Sequence, residues 1–200
     1  MINELKIDLA CGDRKKEGFC GIDIAKTSSI DYAMDLNKYP WDIESNSAEE
    51  IYCSHYVEHI PHDILNIRTL VNESNTFEDF KNKVNQVDRK DGFIQFMNEL
   101  YRIMKVGGKV TIICPYYTSI RAFGDPTHIR YIGEWSFYYL SKDWMEANKL
   151  QHYGIEANFS MTYSYYITNE LTLKSEEVRN NAFKHYWNAI DDIIVELIKI

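Results

Sequence analysis

Long apolar runs are missing from this chain. None approaches the roughly 20 residues that a membrane span requires, and the opening Met1-Ile2-Asn3-Glu4-Leu5-Lys6 lacks the apolar centre of a signal peptide. We therefore expect a soluble, cytoplasmic protein that does not engage a membrane. Cysteine is sparse and unpaired: Cys11, Cys20, Cys53 and Cys114 form no C-x-x-C pair, and two of them lie in apolar strand-like runs. Reduced, mostly buried thiols follow, with neither a disulfide scaffold nor a structural zinc. Basic charge is also short. Against 30 Asp and Glu stand 22 Lys and Arg, a net charge of −8 that repels a phosphate backbone, so no nucleic acid is expected as partner. Internal repeats and low-complexity tracts are absent.

What is present is enough for one core. With 200 residues, of which 45% are hydrophobic and 26% charged, the chain has the composition of a single globular domain spanning 1–200. Leu5 to Leu9, Phe19 to Ile24 and Glu50 to Ser54 are apolar runs of strand length bounded by polar or small residues. Phe93, Phe96, Met97, Leu100 and Met104 recur at helical spacing, with Gly107-Gly108 as a stop, and Lys109 to Cys114 reads as the next strand. Strands alternating with helices imply an α/β fold with a parallel sheet covered on both faces. A polar segment over about 64–92 interrupts this order and is expected to form an inserted helix or two.

The last fifty residues change character. Gly154 to Leu173 is rich in Tyr, Thr, Phe and Ile, which predicts an antiparallel hairpin at the end of the sheet. Val178, Ala182, Tyr186, Ile190, Ile193 and Leu197 then recur at helical spacing, predicting an amphipathic terminal helix over about 175–200. A second strip, Phe183, Trp187, Ile194 and Ile198, widens its apolar face beyond what one core contact needs. Either the helix is deeply buried or it meets a partner, a homodimer being the candidate assembly.

The chemistry concentrates where the first strand ends. Asp8-Leu9-Ala10-Cys11-Gly12-Asp13 runs from a buried strand into a small-residue turn, which lets a ligand approach the backbone at the carboxyl edge of a parallel sheet. Asp23 falls near the end of the second strand, where a carboxylate can accept hydrogen bonds from both ribose hydroxyls. Asp35 follows a third short run. A dinucleotide site wants three glycines in G-x-G-x-x-G, but here the positions are Ala10, Gly12 and Lys15. Without the third glycine, a nicotinamide cofactor is disfavoured. The acidic Asp8 and Asp13 beside the turn suit a ligand carrying an ammonium and a sulfonium better than a pyrophosphate, and S-adenosylmethionine has those charges.

Several blocks in order carry a resemblance. Asp8-Leu9-Ala10-Cys11-Gly12-Asp13-Arg14, Glu17 to Ile24, Asp35 to Trp41, Glu50 to Ile60 and Glu99 to Lys109 together resemble a class I S-adenosylmethionine-dependent methyltransferase of the type 11-like, small-molecule group. The resemblance implies a Rossmann-like, doubly wound, mostly parallel sheet with S-adenosyl-L-methionine as cofactor. It further implies that Asp8, Ala10, Cys11 and Gly12 line the methionine end, that Asp23 and Ile24 hold the ribose, and that Asp35 and Leu36 face the adenine. Ser54 and His55 match the segment leaving the fourth strand, at the floor of the reaction site. Two positions depart from the pattern: Ala10 stands for the first glycine and Val106 for a proline before the glycine pair.

Beyond the fifth strand, Asp125-Pro126-Thr127-His128-Ile129-Arg130 is similar to a D-P-T-H-x-R segment in a subset of these enzymes. Asp125, His128 and Arg130 offer a carboxylate, an imidazole and a guanidinium that can bind and deprotonate a polar acceptor. His128, His55 and Asp125 are the catalytic candidates, and Tyr116, Tyr117 and Arg130 the substrate-binding ones. His55, His59 and His62 are spaced like a metal-binding helix face, but no H-E-x-x-H order accompanies them and Pro61 disturbs a helix there, so no metal is expected. The expected function is methyl transfer to a small or sugar-like molecule. Because of Ala10, the alternative is a scaffold that keeps the cofactor fold without turnover.

Overall fold

The computed structural model describes residues 5–62, 67–86 and 91–200. Its elements run β1 (Lys6–Leu9), β2 (Cys20–Asp23), β3 (Tyr32–Ala33) and β4 (Ala48–Ser54), then α1 (Ile67–Asn72), α2 (Phe77–Gln86), α3 (Gly92–Ile103) and β5 (Met104–Pro115). After β5 come α4 (Arg121–Gly124), α5 (Glu134–Tyr138), α6 (Lys142–Ala147), β6 (Phe159–Ile167), α7 (Asn169–Thr172), α8 (Glu176–His185) and β7 (Ile190–Lys199). The seven strands form one sheet in the order β3-β2-β1-β4-β5-β7-β6. β1 to β5 are parallel, while β7 pairs antiparallel with both β5 and β6. The strand order reverses between β1 and β4, the place where an open α/β sheet opens a crevice at its carboxyl edge.

Side-chain alternation divides the sheet into two unlike faces. Ile7, Leu9, Ile51, Cys53, Val110, Ile112, Val195 and Leu197 are fully buried and share the face on which α3 packs Phe96, Met97, Leu100 and Ile103. Asp91 starts α3 by accepting hydrogen bonds from the N–H groups of Phe93 and Ile94, and it also pairs with Arg130 at 3.0 Å. Glu99, buried on the same helix, accepts the Trp41 N–H at 2.6 Å and is held by Arg102. That contact ties the long β3–β4 connection to the core.

The opposite face departs from the expectation of a sheet covered on both sides. The connections β1–β2, β2–β3 and β3–β4 contain no helix, so Glu50, Tyr52, Lys109, Thr111 and Glu196 stay partly exposed. Ion pairs Lys6–Glu50 (2.9 Å) and Lys109–Glu196 (3.2 Å) lie across it, and the Lys16 ammonium sits 4.6 Å from the Tyr52 ring centre. The first two connections are short and the longer third is tied to the core by Trp41 on Glu99, so no crossover helix covers this face, and the polar alternation is how the sequence accommodates the water.

The terminal helix is a correction. Only Glu176–His185 is helical, and the residues from Ile190 to Lys199 form β7. Ile, Ile and Val at 193–195 favour a pleated strand, and the burial alternates, with 193, 195 and 197 buried and 194, 196 and 198 half-buried. From Ile190 onward the doubled apolar stripe thus belongs to the two faces of a strand, while Val178, Ala182 and Phe183 lie on α8 and Tyr186 and Trp187 are exposed between the two elements. The expected hairpin is likewise one strand in 154–173, β6, whose antiparallel partner lies across α7 and α8. Gly107-Gly108 does not stop α3, which ends at Ile103. It lies at a β4–β5 register shift, where a β-carbon on Gly108 would come within 2.9 Å of the Lys105 carbonyl. The inserted segment over 64–92 contributes α1 and α2; its residues 64–66 and 87–90 lie outside the described residues.

Candidate active site

At the end of β1 the chain turns back on itself. Ala10 and Gly12 both take left-handed φ values, 55° and 52°, and the Ala10 N–H donates to the Ile22 carbonyl at 2.8 Å. Asp8 is buried and accepts the Lys16 N–H at 2.7 Å; burial pushes its carboxyl above the usual range. Asp23 closes the turn from β2, accepting the Gly12 N–H at 2.9 Å and the Ala25 N–H at 3.0 Å. One carboxylate thus fixes two corners and keeps lone pairs for a ligand.

Two cavities are lined by this turn. The first, of about 260 Å³, is lined by Ala10, Asp23, Ile24, Met34, Asp35, Leu36, Asn37, Tyr56 and His59. The second, of about 500 Å³, is lined by Asp8, Ala10, Cys11, Gly12, Asp13, Arg14, Tyr52, Ser54 and His55. Together they fall in the roughly 300–1,000 Å³ range of small-molecule sites. All nine residues expected to bind cofactor lie in one or both walls. A larger hollow of about 910 Å³ involves Leu5, Lys6, Phe19 and Cys20, but these stand at the amino ends of β1 and β2. Ligands of open α/β sheets bind at the opposite edge.

The walls suit an adenosyl ligand. Asn37 lines the first cavity, and its Oδ1 is buried without a hydrogen-bond partner, a polar edge beside Asp35 and Leu36. Asp13 and Asp8 give the second cavity its acidic wall. Cys11 stays a thiol, its pKa pushed up to about 11 by burial and by Asp8 and Asp23. Asn37 and Tyr56 are not among the candidates the sequence offers, although Asn37 directly follows Asp35-Leu36, and His59 enters there only in the metal-face reading of His55, His59 and His62 that is set aside.

The catalytic and substrate candidates separate. His55, also at a left-handed φ of 55°, lines the second cavity, and its Nδ1 lies 3.3 Å from Glu58 Oε1. Glu58 is 1% exposed and holds the imidazole above its ordinary pKa. His128 lines neither cavity. Its Nε2 is 4.0 Å from both Glu58 Oε1 and Asp125 Oδ2, and its ring packs on that of His59 with centres 4.6 Å apart. Asp125 accepts the N–H and hydroxyl of Thr127, bonds that hold its carboxyl below the usual range. It shapes the loop and is not aimed into either cavity.

Arg130 is corrected from substrate contact to fastener: it donates to the carbonyls of Ile60 and Pro61 and to Asp91, which leaves its side chain 9% exposed. Tyr116 is buried with its hydroxyl on Glu134 at 3.1 Å, where Tyr165 also donates. Tyr117 is exposed beside it, ring centres 4.6 Å apart. Neither tyrosine lines the two cavities. No helix among the described residues is long and apolar enough to cross a membrane.

No protein-family model and no curated protein matches the chain. Solved structures do. A SAM-dependent methyltransferase from Archaeoglobus fulgidus is similar over 98% of this chain and 86% of its own, with 19% identity and a TM-score of 0.58. The methyltransferase in complex with the Trm112 methyltransferase activator of Haloferax volcanii is similar over 98% of this chain and 83% of the other, with 9% identity and a TM-score of 0.51. At such identities the likeness is one of fold: this chain has the Rossmann-like α/β fold of class I methyltransferases.

Proposed function

We propose that the chain binds S-adenosyl-L-methionine across the two cavities that share Ala10 and transfers its methyl group to a small or sugar-like acceptor. The observation that carries this reading is that two cavities share Ala10 as a wall, with the Asp23 carboxylate and Asn37 lining one and the acidic pair Asp8 and Asp13 lining the other. The cofactor, when bound, supplies a methyl already activated on a sulfonium. The protein therefore has to align and deprotonate.

Asp23 is held by two backbone N–H groups before any ligand arrives, so its remaining lone pairs receive ribose hydroxyls without reorganisation. Asp35, Leu36 and Asn37 form the nucleoside end, and Cys11, Gly12 and Ser54 the methionine end. His55 reaches the wall of that end from the carboxyl terminus of β4, where an acceptor lined up with the methyl would approach. It is placed to take the acceptor's proton, a role typically worth about 10²–10⁴ in rate.

Calorimetry with S-adenosylmethionine and S-adenosylhomocysteine tests the reading. Saturable binding tighter than about 1 mM is expected, weakened roughly tenfold or more in Asp23→Asn, which loses the charge that strengthens the ribose hydrogen bonds. Absence of binding to either ligand would overturn it.

A further inference from the structure

Among the described residues, Glu58 is buried with both carboxylate oxygens lacking a well-formed hydrogen bond. Its side chain is 1% exposed, and His55 Nδ1 lies at an ion-pair distance of 3.3 Å from Oε1. An ionised carboxylate stripped of water costs several kcal/mol unless a counter-charge is supplied. His128, 9% exposed in its side chain, also buries an unpartnered ring nitrogen, Nδ1. Glu58, His59 and His128 each bring one ligating atom to within 4.8 Å of the others.

We propose that Glu58, His59 and His128 form a binding site for a divalent transition cation of the zinc class, beside the nucleoside cavity. Two imidazoles and one carboxylate suit Zn²⁺, Co²⁺ or Mn²⁺ and leave positions open, whereas Mg²⁺ and Ca²⁺ prefer all-oxygen shells. Ligands at about 2.0–2.2 Å from a shared ion lie roughly 3–4 Å apart. The group therefore has to contract by about an ångström.

The surroundings prepare His59 for this role. Its Nδ1 lies 3.0 Å from Thr127 Oγ1 and 3.3 Å from the Thr127 carbonyl oxygen. The Thr127 hydroxyl spends its proton on Asp125, 2.7 Å away, and a carbonyl only accepts. Nδ1 must therefore be the donor, which leaves the Nε2 lone pair free for a cation, and Asp125-Thr127-His59 forms the outer relay that commonly orients a metal-bound imidazole. The chain also brings the ligands together by main-chain bonds: the N–H groups of Ile129 and Arg130 both donate to the Glu58 carbonyl. Under the methyl-transfer reading the cation would hold an oxygen donor of the acceptor beside the cofactor. That extension rests on the proposed function, whereas the cation site itself does not.

The test is calorimetry on chelator-treated full chain with Zn²⁺, and separately Co²⁺ absorption, both without any adenosyl ligand. One equivalent per chain should bind at micromolar concentration or tighter, with Mg²⁺ far weaker. Glu58→Gln and His128→Asn should each weaken binding by about tenfold or more, and Thr127→Val, which removes the orienting hydroxyl, by roughly 10–100-fold. His152→Asn, at an exposed histidine, should leave it unchanged. Should Glu58→Gln fail to fold, His128→Asn and Thr127→Val decide alone. No saturable Zn²⁺ binding below millimolar concentration, or binding indifferent to these substitutions, would overturn the site. Because no cofactor enters the measurement, failure here is distinct from failure of the methyltransferase reading.

Discussion

Ala10 holds φ at 55°, where a β-carbon costs an L residue roughly 1–2 kcal/mol. Glycine there would remove that cost but lose about 0.5–1 kcal/mol of backbone entropy on folding, so Ala10→Gly should be neutral to stabilising by up to about 1 kcal/mol. A thermal melt reads this as a rise of at most about 4 °C; a clear fall would show that the methyl packs favourably. His55 shares the same backbone region, which Asn tolerates far better than most residues. His55→Asn should therefore fold as the parent, keep adenosyl binding, and lose about 10²–10⁴ in turnover; unchanged turnover would remove the proton-accepting role. Asp31 supplies a pH dependence. Its carboxylate accepts from Lys15 Nζ at 2.8 Å and the Gly21 N–H at 2.7 Å, and these bonds lower its pKa in the folded state. A lowered carboxylate stabilises the fold above its unfolded pKa and loses that contribution as pH falls through the folded value. The stability gap between the parent and Asp31→Asn, measured by urea unfolding, should be present at pH 7 and shrink in acid; a gap that widens in acid would reverse the sign. At this scale the sequence made legible the position of Asp23 and Asp35 beside a cavity, because each ends a short run at the carboxyl edge, and that of Asp8, because it lies one residue before the end of β1. It was silent about Glu58 with His128, which are far apart in the chain and meet only because main-chain bonds bring 129–130 onto residue 58.

Among the elements, α3 carries the core and Asp91 carries α3. The Asp91 carboxylate accepts two helix N–H groups and pairs with an Arg130 whose side chain is 9% exposed. Asp91→Ala should cost about 2–3 kcal/mol, the cap at about 1 plus the guanidinium left without its partner. Asp91→Asn keeps the cap and should cost about half as much. Equilibrium unfolding in urea separates them: no loss in Asp91→Asn would show that the ion pair is inert, and equal losses that the cap contributes nothing. The helical stretch was readable because Phe93, Phe96, Met97 and Leu100 make a one-sided stripe. The terminal strand was not, for a definite reason: Ile190, Ile193 and Leu197 fit a helical period while Ile193, Val195 and Leu197 fit a period of two. Burial against β5 and β6 decides between them, and a lone sequence contains no record of that pairing.

The whole molecule puts nearly all of its apolar packing on one side of its sheet. Three successive parallel connections run without a helix, so Glu50, Tyr52, Lys109, Thr111 and Glu196, which alternate with the core set, stay partly exposed. Surface ion pairs such as Lys6–Glu50 contribute typically 0–1 kcal/mol, so this face specifies strand register more than it supplies stability. Neighbouring residues of one strand should then behave oppositely. Ile112→Ala, in the fully buried set, should cost about 2–5 kcal/mol, while Thr111→Ala and Glu50→Gln should each stay within about 1 kcal/mol. Sedimentation of the same variants adds a control, since a face that meets water in solution leaves the association state untouched when it is altered. Large losses at Thr111 or Glu50, or a change in sedimentation, would show instead that a second surface covers this side of the sheet and that half of the molecule's packing lies between chains.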